Sequence, residues 1–446
     1  MFFSFLTILS YYLAEFCYLS TLFADIIILN AGDIYKTSPK INTLGGSKMN
    51  KITKRQLIIL TLGGFLSYLL FGIFDSMRGA TLSSLLGDLQ LNYASGGTIV
   101  MGQYAGYFAA TLLVGILADR IGSKFTLVLA AFSLVFGVGG YSASSGLLPL
   151  IAFIFFIGIG LGSLELGGCN IITALYQEKK GRYLNILAAI AGCGAFVTPM
   201  IAGLFLDQGI SWRVIYRIFL FIAVPVAIYF VLLKNPPDSR NAGITQKEAK
   251  TTPAVSVRFR RLGTWTMNFS NFAYMAAEIG TASWLVDFYQ NVKHFSVIES
   301  STSLSLFYIG ITLGRLGGSL FVDRLGHKRS VLFASVGAAF CIIAGVFGPD
   351  AFAILTSITG FCYSIIFPTS TAIISEISEG HPGRTLGIFL AFGGLGGMFG
   401  PWIVGIASDL LGLELGMALN CIFCAAIFIS VFIVKTNTSS QRTEAL

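Results

Sequence analysis

The chain has 446 residues, of which 55% are hydrophobic and only 11% charged, with a mean hydropathy of +0.79 and a net charge of +8. A soluble domain carries about 25% charged residues, so a water-soluble globule of this size is excluded, and so is a disordered chain. The basic residues are scattered in short loops rather than gathered in a patch with interleaved aromatics, which excludes nucleic acid as a partner and leaves a polytopic protein whose solvent is the lipid bilayer.

Residues 1–30 are apolar but contain Glu15 and Asp25 and no basic residue. A signal peptide would begin with positive charge, and a thirteenth span would put the N-terminus on the far side of the membrane. A third reading makes Met49 the start. Glycine codons begin GG, so Gly45-Gly46 could encode a purine-rich ribosome-binding site just upstream. Met49 is the reading adopted, and residues 1–50 are treated as a leader of doubtful status.

From residue 55 onward, apolar runs of the length a membrane helix needs, about 20 residues, recur near 56–84, 93–118, 124–144, 148–176, 183–206, 214–234, 264–288, 301–322, 330–348, 351–375, 385–407 and 416–434. The ten-residue alternating strands of a membrane β-barrel are absent from the sequence. Residues 235–260 are polar and contain three prolines. The expected architecture is therefore an all-α membrane protein of 12 transmembrane helices in two six-helix, pseudo-symmetric bundles. The bundles span 51–234 and 263–435, with a linker at 235–262 and a tail at 436–446.

Basic residues settle the expected orientation. They crowd before the first span (Lys51, Lys54, Arg55), after the even-numbered spans and in the linker, whereas the alternate loops hold only Arg213, Arg217 and Lys293. That bias puts both termini and the linker in the cytoplasm if Met49 is the start, with the chain in the plasma (inner) membrane. All seven cysteines lie in apolar runs, and the Cys421-x-x-Cys424 pair falls on a predicted span, so packing is favoured over redox or metal use.

The two halves repeat each other. Residues 115–125 read GILADRIGSKF and residues 319–329 read SLFVDRLGHKR, so Asp119-Arg120, Gly122 and Lys124 recur as Asp323-Arg324, Gly326 and Lys328. Pro199, Gly203 and Asp207 likewise recur as Pro401, Gly405 and Asp409. Parallel repeats place a substrate site near the midplane between the halves. The Asp-Arg-x-Gly-x-Lys/Arg loop, recurring in the matching place, resembles the signature of the major facilitator superfamily. The resemblance implies a transporter in which Asp119, Arg120, Asp323 and Arg324 gate the cytoplasmic side. Glycines spaced by four (Gly310, Gly314, Gly318; Gly393, Gly397; Gly396, Gly400) suit close helix packing. Pro199 and Pro401 are expected to kink spans five and eleven.

An ionisable group at the bilayer centre costs roughly 2.5–3.5 kcal/mol on insertion scales, so each one requires a reason. Asp75 and Arg78 are three residues apart on span one and can pair. Glu165 on span four, followed by Asn170, and Glu278 on span seven have no basic residue within a turn of their own helix. Such a carboxyl group can exchange a proton. Glu165, Glu278 and Asp75 are the proton-coupling candidates. Gln103 and Tyr107 share a face of span two, and Asn271 and Tyr274 share one with Glu278. The segment Leu164-Glu165 to Asn170 resembles the fourth-helix motif of the fucose:proton symporter family. Glu278 with Trp284, Phe307-Tyr308-Ile309-Gly310 running to Gly314-Arg315, and Phe367-Pro368 are similar to its later helices. That family's first-helix aspartate would fall near Gly79, a turn beyond Asp75. The resemblance implies monosaccharide uptake coupled to protons, or in some members sodium. The expected solute contacts are Gln103, Tyr107, Glu165, Asn170, Asn271, Tyr274, Trp284, Tyr308 and Tyr363.

Other readings remain open. A drug:proton antiporter usually carries an arginine in span four, where this chain has Glu165. An organic-anion carrier follows if Arg78 and Arg315 both face the cavity. A membrane sensor is expected to carry a sizeable soluble domain. Enzymatic activity is not expected: His294, His327 and His381 lie in predicted loops without metal spacing. No cofactor or metal is expected, and the carrier is expected to be a monomer whose partners are a small-molecule solute, a coupling proton and lipid.

Overall fold

The computed structural model describes residues 53–114, 122–177, 180–233, 257–377 and 382–434. The leader, most of the linker and the tail lie outside these residues, as do Asp119 and Arg120. The first six spans are α1 (Lys54–Leu89), α2 (Tyr93–Ala109, continued by a π-helical turn Ala110–Val114), α3 (Ser123–Ala143), α4 (Leu147–Leu175), α5 (Lys180–Asp207) and α6 (Trp212–Leu232). The last six are α7 (Val257–Asn291), α8 (Val297–Leu325), α9 (His327–Phe347), α10 with α11 (Ile354–Tyr363, Ile366–Ile377), α12 (Pro382–Leu411) and α13 with α14 (Leu413–Ala418, Asn420–Ile433). All twelve expected spans are helical over their described residues, as backbone in lipid must be.

Among the described residues, ten helices are long and apolar enough to cross a membrane by length and composition. Spans two and seven are the exceptions. In α7 the cause is a row of buried polar side chains, Asn268, Ser270, Asn271, Glu278, Thr281 and Asp287. A polar helix in this setting lines something other than lipid. Large apolar side chains such as Leu113, Phe132, Phe221, Phe333, Phe340, Ile422 and Phe432 are exposed instead, as a lipid-facing surface requires.

Each packing in the first six spans has its counterpart in the last six. Helix α1 lies against α5 as α7 lies against α12; α2 and α3 lie against α4 as α8 and α9 lie against α10. The two groups meet through α2 on α12, α5 on α8 and α1 on α7. The spaced glycines serve these seams: Gly310 and Gly314 meet α10 at Phe361 and Ser364, while Gly396 and Gly400 meet α7 at Phe272 and Ala276.

Helix ends have local causes. The repeated loop glycines Gly122 and Gly326 have φ of 93° and 80°, a region that other residues enter only with strain. Lys328 of the same motif donates from Nζ to the carbonyls of Phe432 (2.9 Å) and Val434 (2.6 Å), satisfying acceptors left open at the end of α14. Span ten breaks at Ser364–Ile365, because Pro368 lacks the N–H that would bond the Ser364 carbonyl.

One end of the bundle is sealed, the end bearing residues 90–92, 208–211, 292–296 and 412. Asp409 of α12 accepts hydrogen bonds from the Tyr93 (2.9 Å) and Ala94 (2.8 Å) backbone N–H groups at the start of α2. Ser83 of α1 donates to Gln290 of α7 at 3.0 Å. Gly97 of α2 lies so close to α12 that a Cβ there would sit 2.8 Å from the Trp402 Cα. The seam continues to Phe108 against Gly394 and to Gly192 against Thr312. Arg315, just under a turn beyond Thr312, is exposed, and Tyr107, Glu165 and Asn170 are half-buried, so polar side chains are more accessible toward the opposite end, here called the open end.

Candidate functional site

Five helices bring their ionisable groups to the middle of the bundle. On α1, Arg78 is 1% exposed and pairs with Asp75 across 3.6 Å. Their i, i+3 spacing puts both on one face. From α2, Tyr104 donates to Asp75 at 3.2 Å and Gln103 donates to it at 3.4 Å. The Tyr104 ring also lies under Arg78, 5.1 Å from the guanidinium carbon, a cation–π contact. Tyr107, one turn further along α2, donates a hydrogen bond to Glu165 of α4. Cys169 and Tyr68 lie beside Glu165.

The far wall comes from α7 and α8. Tyr274, Glu278 and Arg315 interact electrostatically with one another, and Arg315 also acts on Glu165. Asp75 acts on both Glu165 and Glu278, and Tyr308 adjoins Arg78, Asp75 and Glu278. These groups therefore form one cluster. Its carboxyl groups are Asp75, Glu165 and Glu278; its guanidiniums are Arg78 and Arg315. One formal negative charge is left in excess.

The cluster is not fully hydrogen-bonded. No hydrogen bond of good geometry reaches the three Arg78 guanidinium nitrogens or Glu278 Oε2, although Asp75 lies 3.6 Å from Arg78 and Tyr274 adjoins Glu278 and Arg315. Buried groups of this kind are normally satisfied, so the cluster has donors and acceptors to offer. Glu165, Tyr107 and Asn170 are half-buried and Arg315 is exposed. These four, with Asp75, present the most accessible polar surface.

Sequence reasoning placed Gln103, Tyr107, Glu165, Tyr274, Glu278, Tyr308 and Asp75 together, and the structure brings them together. Three further residues are engaged in packing between helices. Trp284 is fully enclosed and donates its indole N–H to the Pro401 carbonyl at 3.0 Å. Tyr363 is enclosed among Tyr274, Phe307 and Cys424. Asn271 donates to the Phe389 carbonyl at 2.7 Å and is 1% exposed. Each uses its polar group to join helices of the second half. Tyr104 is the residue that sequence reasoning missed, although it lies between Gln103 and Tyr107. Its signal was three residues of the right chemistry in five positions. Of the expected gating residues, Arg324 is exposed in the last turn of α8. Asp119, Arg120 and the Asp323 side chain lie outside the described structure.

No group of three or more His, Cys, Asp or Glu side chains able to hold a metal occurs among the described residues.

Comparison with known proteins adds the following. A family model described as Major Facilitator Superfamily matches residues 64–351 and 303–445. The cis,cis-muconate transport protein of Acinetobacter baylyi is 23% identical over 404 residues, which cover 86% of this chain and 96% of that protein. The crystal structure of a D-xylose-proton symporter superposes with a TM-score of 0.68 at 16% identity, over 85% of this chain and 97% of that one. The E. coli fucose:proton symporter FucP superposes with a TM-score of 0.57 at 18% identity, over 86% of this chain and all of that one (100%). At these identities the structural likeness speaks to the fold, and each named solute belongs to its own protein.

Proposed function

The chain belongs to the major facilitator superfamily, and from that premise we propose that it is a secondary active carrier that moves a small polar solute together with a proton by alternating access. The observation that carries this reading is the central cluster, in which three carboxyl groups meet two guanidiniums. An uncompensated charge is costly to move through a low-dielectric barrier. One proton on the cluster removes the excess, so the loaded site crosses more easily than the bare one. Glu165 is the proton carrier favoured here. It is half-buried toward the open side and tied to Tyr107, and Arg315 reaches it from the other half. A solute between α4 and α8 would therefore touch the titrating group and both halves at once.

Carboxylate, amide, phenol and guanidinium groups around one cavity suit a solute with many hydroxyls, and a monosaccharide is the first expectation. Basic-residue bias makes the sealed end extracellular and the open end cytoplasmic, in the plasma (inner) membrane. On this reading the repeated loops at Asp119-Arg120 and Asp323-Arg324 gate the cytoplasmic side, and the carrier acts as a monomer. Sodium is the alternative coupling ion.

A second reading, an organic anion as solute, is favoured by one specific observation. Arg315 is exposed, whereas Arg78 is buried and paired with Asp75, so Arg315 is the guanidinium open to a carboxylate, which such forks bind bidentately. Uptake by purified protein in liposomes, driven by an inward pH step, separates the readings. The panel holds a hexose, a pentose, a dicarboxylate and a lipophilic amine drug. Accumulation of a sugar supports the first reading, accumulation of the dicarboxylate alone supports the second, and no pH-driven accumulation of any member overturns proton coupling.

A further inference from the structure

A polar cavity lies at the sealed end, away from the central cluster. It measures about 710 Å³ and is lined by Ser83, Gln90 and Tyr93 of the first half and by Asp287, Gln290, Asn291 and Asp409 of the second, among others. No Lys, Arg or His lines it. The two carboxylates differ in their situation. Both Asp409 oxygens are engaged, one by each of the first two N–H groups of α2, where the helix N-terminus offsets their charge. Asp287 is 3% exposed. Its Oδ1 accepts from Asn291 Nδ2 at 2.9 Å, the hydroxyls of Ser83 and Tyr93 adjoin the carboxylate, and no hydrogen bond of good geometry reaches its buried Oδ2. A buried carboxylate with only neutral groups around it and no lining cation is a costly arrangement.

Around it stand neutral oxygens on the same wall. Ser83 Oγ donates to Gln290 Oε1, which leaves lone pairs on both atoms. Asn291 spends its amide N–H on Asp287 and so keeps its carbonyl oxygen. Hard oxygen donors of this type select alkali and alkaline-earth cations, and a divalent ion demands more carboxylate charge than one free Asp supplies.

We propose that this cavity is a binding site for one monovalent alkali cation, held by Asp287 Oδ2 with oxygens of Ser83, Gln290 and Asn291. The site is assembled from both halves, because Ser83 belongs to α1 and the other three to α7. Its formation requires this end to be sealed, so an occupant favours the sealed state over the state open at this end. The site is separate from the solute cavity, and its occupancy is independent of which solute is carried.

The test uses the full chain, purified in detergent, with thermal unfolding followed at constant ionic strength and constant chloride. Sodium, lithium or potassium replaces choline, which is too large for a cluster of side-chain oxygens. A ligand bound only by the folded state raises the unfolding temperature with concentration. The expected result is a saturable rise for at least one alkali cation over choline. Asp287→Asn should weaken the apparent affinity at least about tenfold, or about 1.4 kcal/mol, and Gln290→Leu should weaken it severalfold. Glu165→Gln should leave it unchanged. Should Asp287→Asn fail to fold, Gln290→Leu and Ser83→Ala decide the matter by the same measurement. The proposal is overturned by the absence of any alkali-specific rise, by an equal rise in Asp287→Asn, by unchanged affinity in both neutral variants, or by loss of the rise in Glu165→Gln. The last outcome would move the cation to the central cluster.

Discussion

At the scale of single residues, the pair Asp75–Arg78 is the firmest structural element of the cluster. Removing one partner of a buried pair strands the other, at a cost of about 3–5 kcal/mol. Arg78→Gln is therefore expected to lower the unfolding temperature markedly, and adding Asp75→Asn should recover much of the loss. Additive losses in a double-mutant cycle would show that the two do not depend on each other. Glu165→Gln imitates the protonated acid and cannot release a proton. Accumulation against a gradient should disappear, while solute affinity stays within about threefold, under 1 kcal/mol. Accumulation that survives this change after a pH step would remove Glu165 from the coupling role, and Glu278→Gln should be measured beside it. The chemistry of these residues was legible from sequence, but their neighbours were not. Glu165 has no cation on its own helix, yet Arg315, 150 positions away in the chain, acts on it. Helical spacing says which residues share a face, not which other helix that face meets. For the same reason Trp284, Asn271 and Tyr363 read as solute contacts, whereas their polar atoms are used on Pro401, Phe389 and Cys424.

At the scale of elements, two joints govern how the helices are held. The first is the crossing of α2 and α12 at Gly97, where a Cβ would lie 2.8 Å from the Trp402 Cα and 3.0 Å from the Pro401 carbonyl oxygen. Backbone cannot move aside as a flexible side chain can. Gly97→Val should therefore wedge the sealed end apart and shift the protein toward the state open there. Distance measurements between spin labels at the two helix ends would detect this, and an unchanged distribution would speak against it. The second joint is Lys328, whose Nζ holds the last carbonyls of α14. Lys328→Met should cost about 0.3–1 kcal/mol, the range for a cation at a helix C-terminus, seen as faster amide exchange at the end of α14. Equal exchange rates would show that the clamp is dispensable. Here the sequence was a partial guide. It marked Lys328 as part of a repeated motif, but its partners lie a hundred positions on. The break in span ten was not read from the sequence, which marked Pro199 and Pro401 instead, and both of those lie inside helices that continue past them.

At the scale of the whole molecule, span number, the repeat and the membrane setting were legible because they rest on composition and period, which need no knowledge of contacts. The direction in which the cavity opens was not legible, because both halves carry the same signals and the same sequence serves both states. Its check uses a variant with Cys169, one turn from Glu165, as the sole cysteine. A membrane-impermeant maleimide should label it from the open end and not from the sealed one, and a bound solute should slow the reaction. Equal labelling from both sides would contradict a sealed end. The excess negative charge of the central cluster also has an electrical consequence. On the proposed proton-coupled mechanism, an empty, unprotonated site moves one negative charge through the membrane field when it reorients, at about 2.3 kcal/mol per 100 mV if it crosses the whole field. A protonated site binding a neutral solute moves none. A cell interior held at negative potential would thus drive the bare site outward, so that voltage acts on the return of the empty carrier rather than on the inward step of the loaded one.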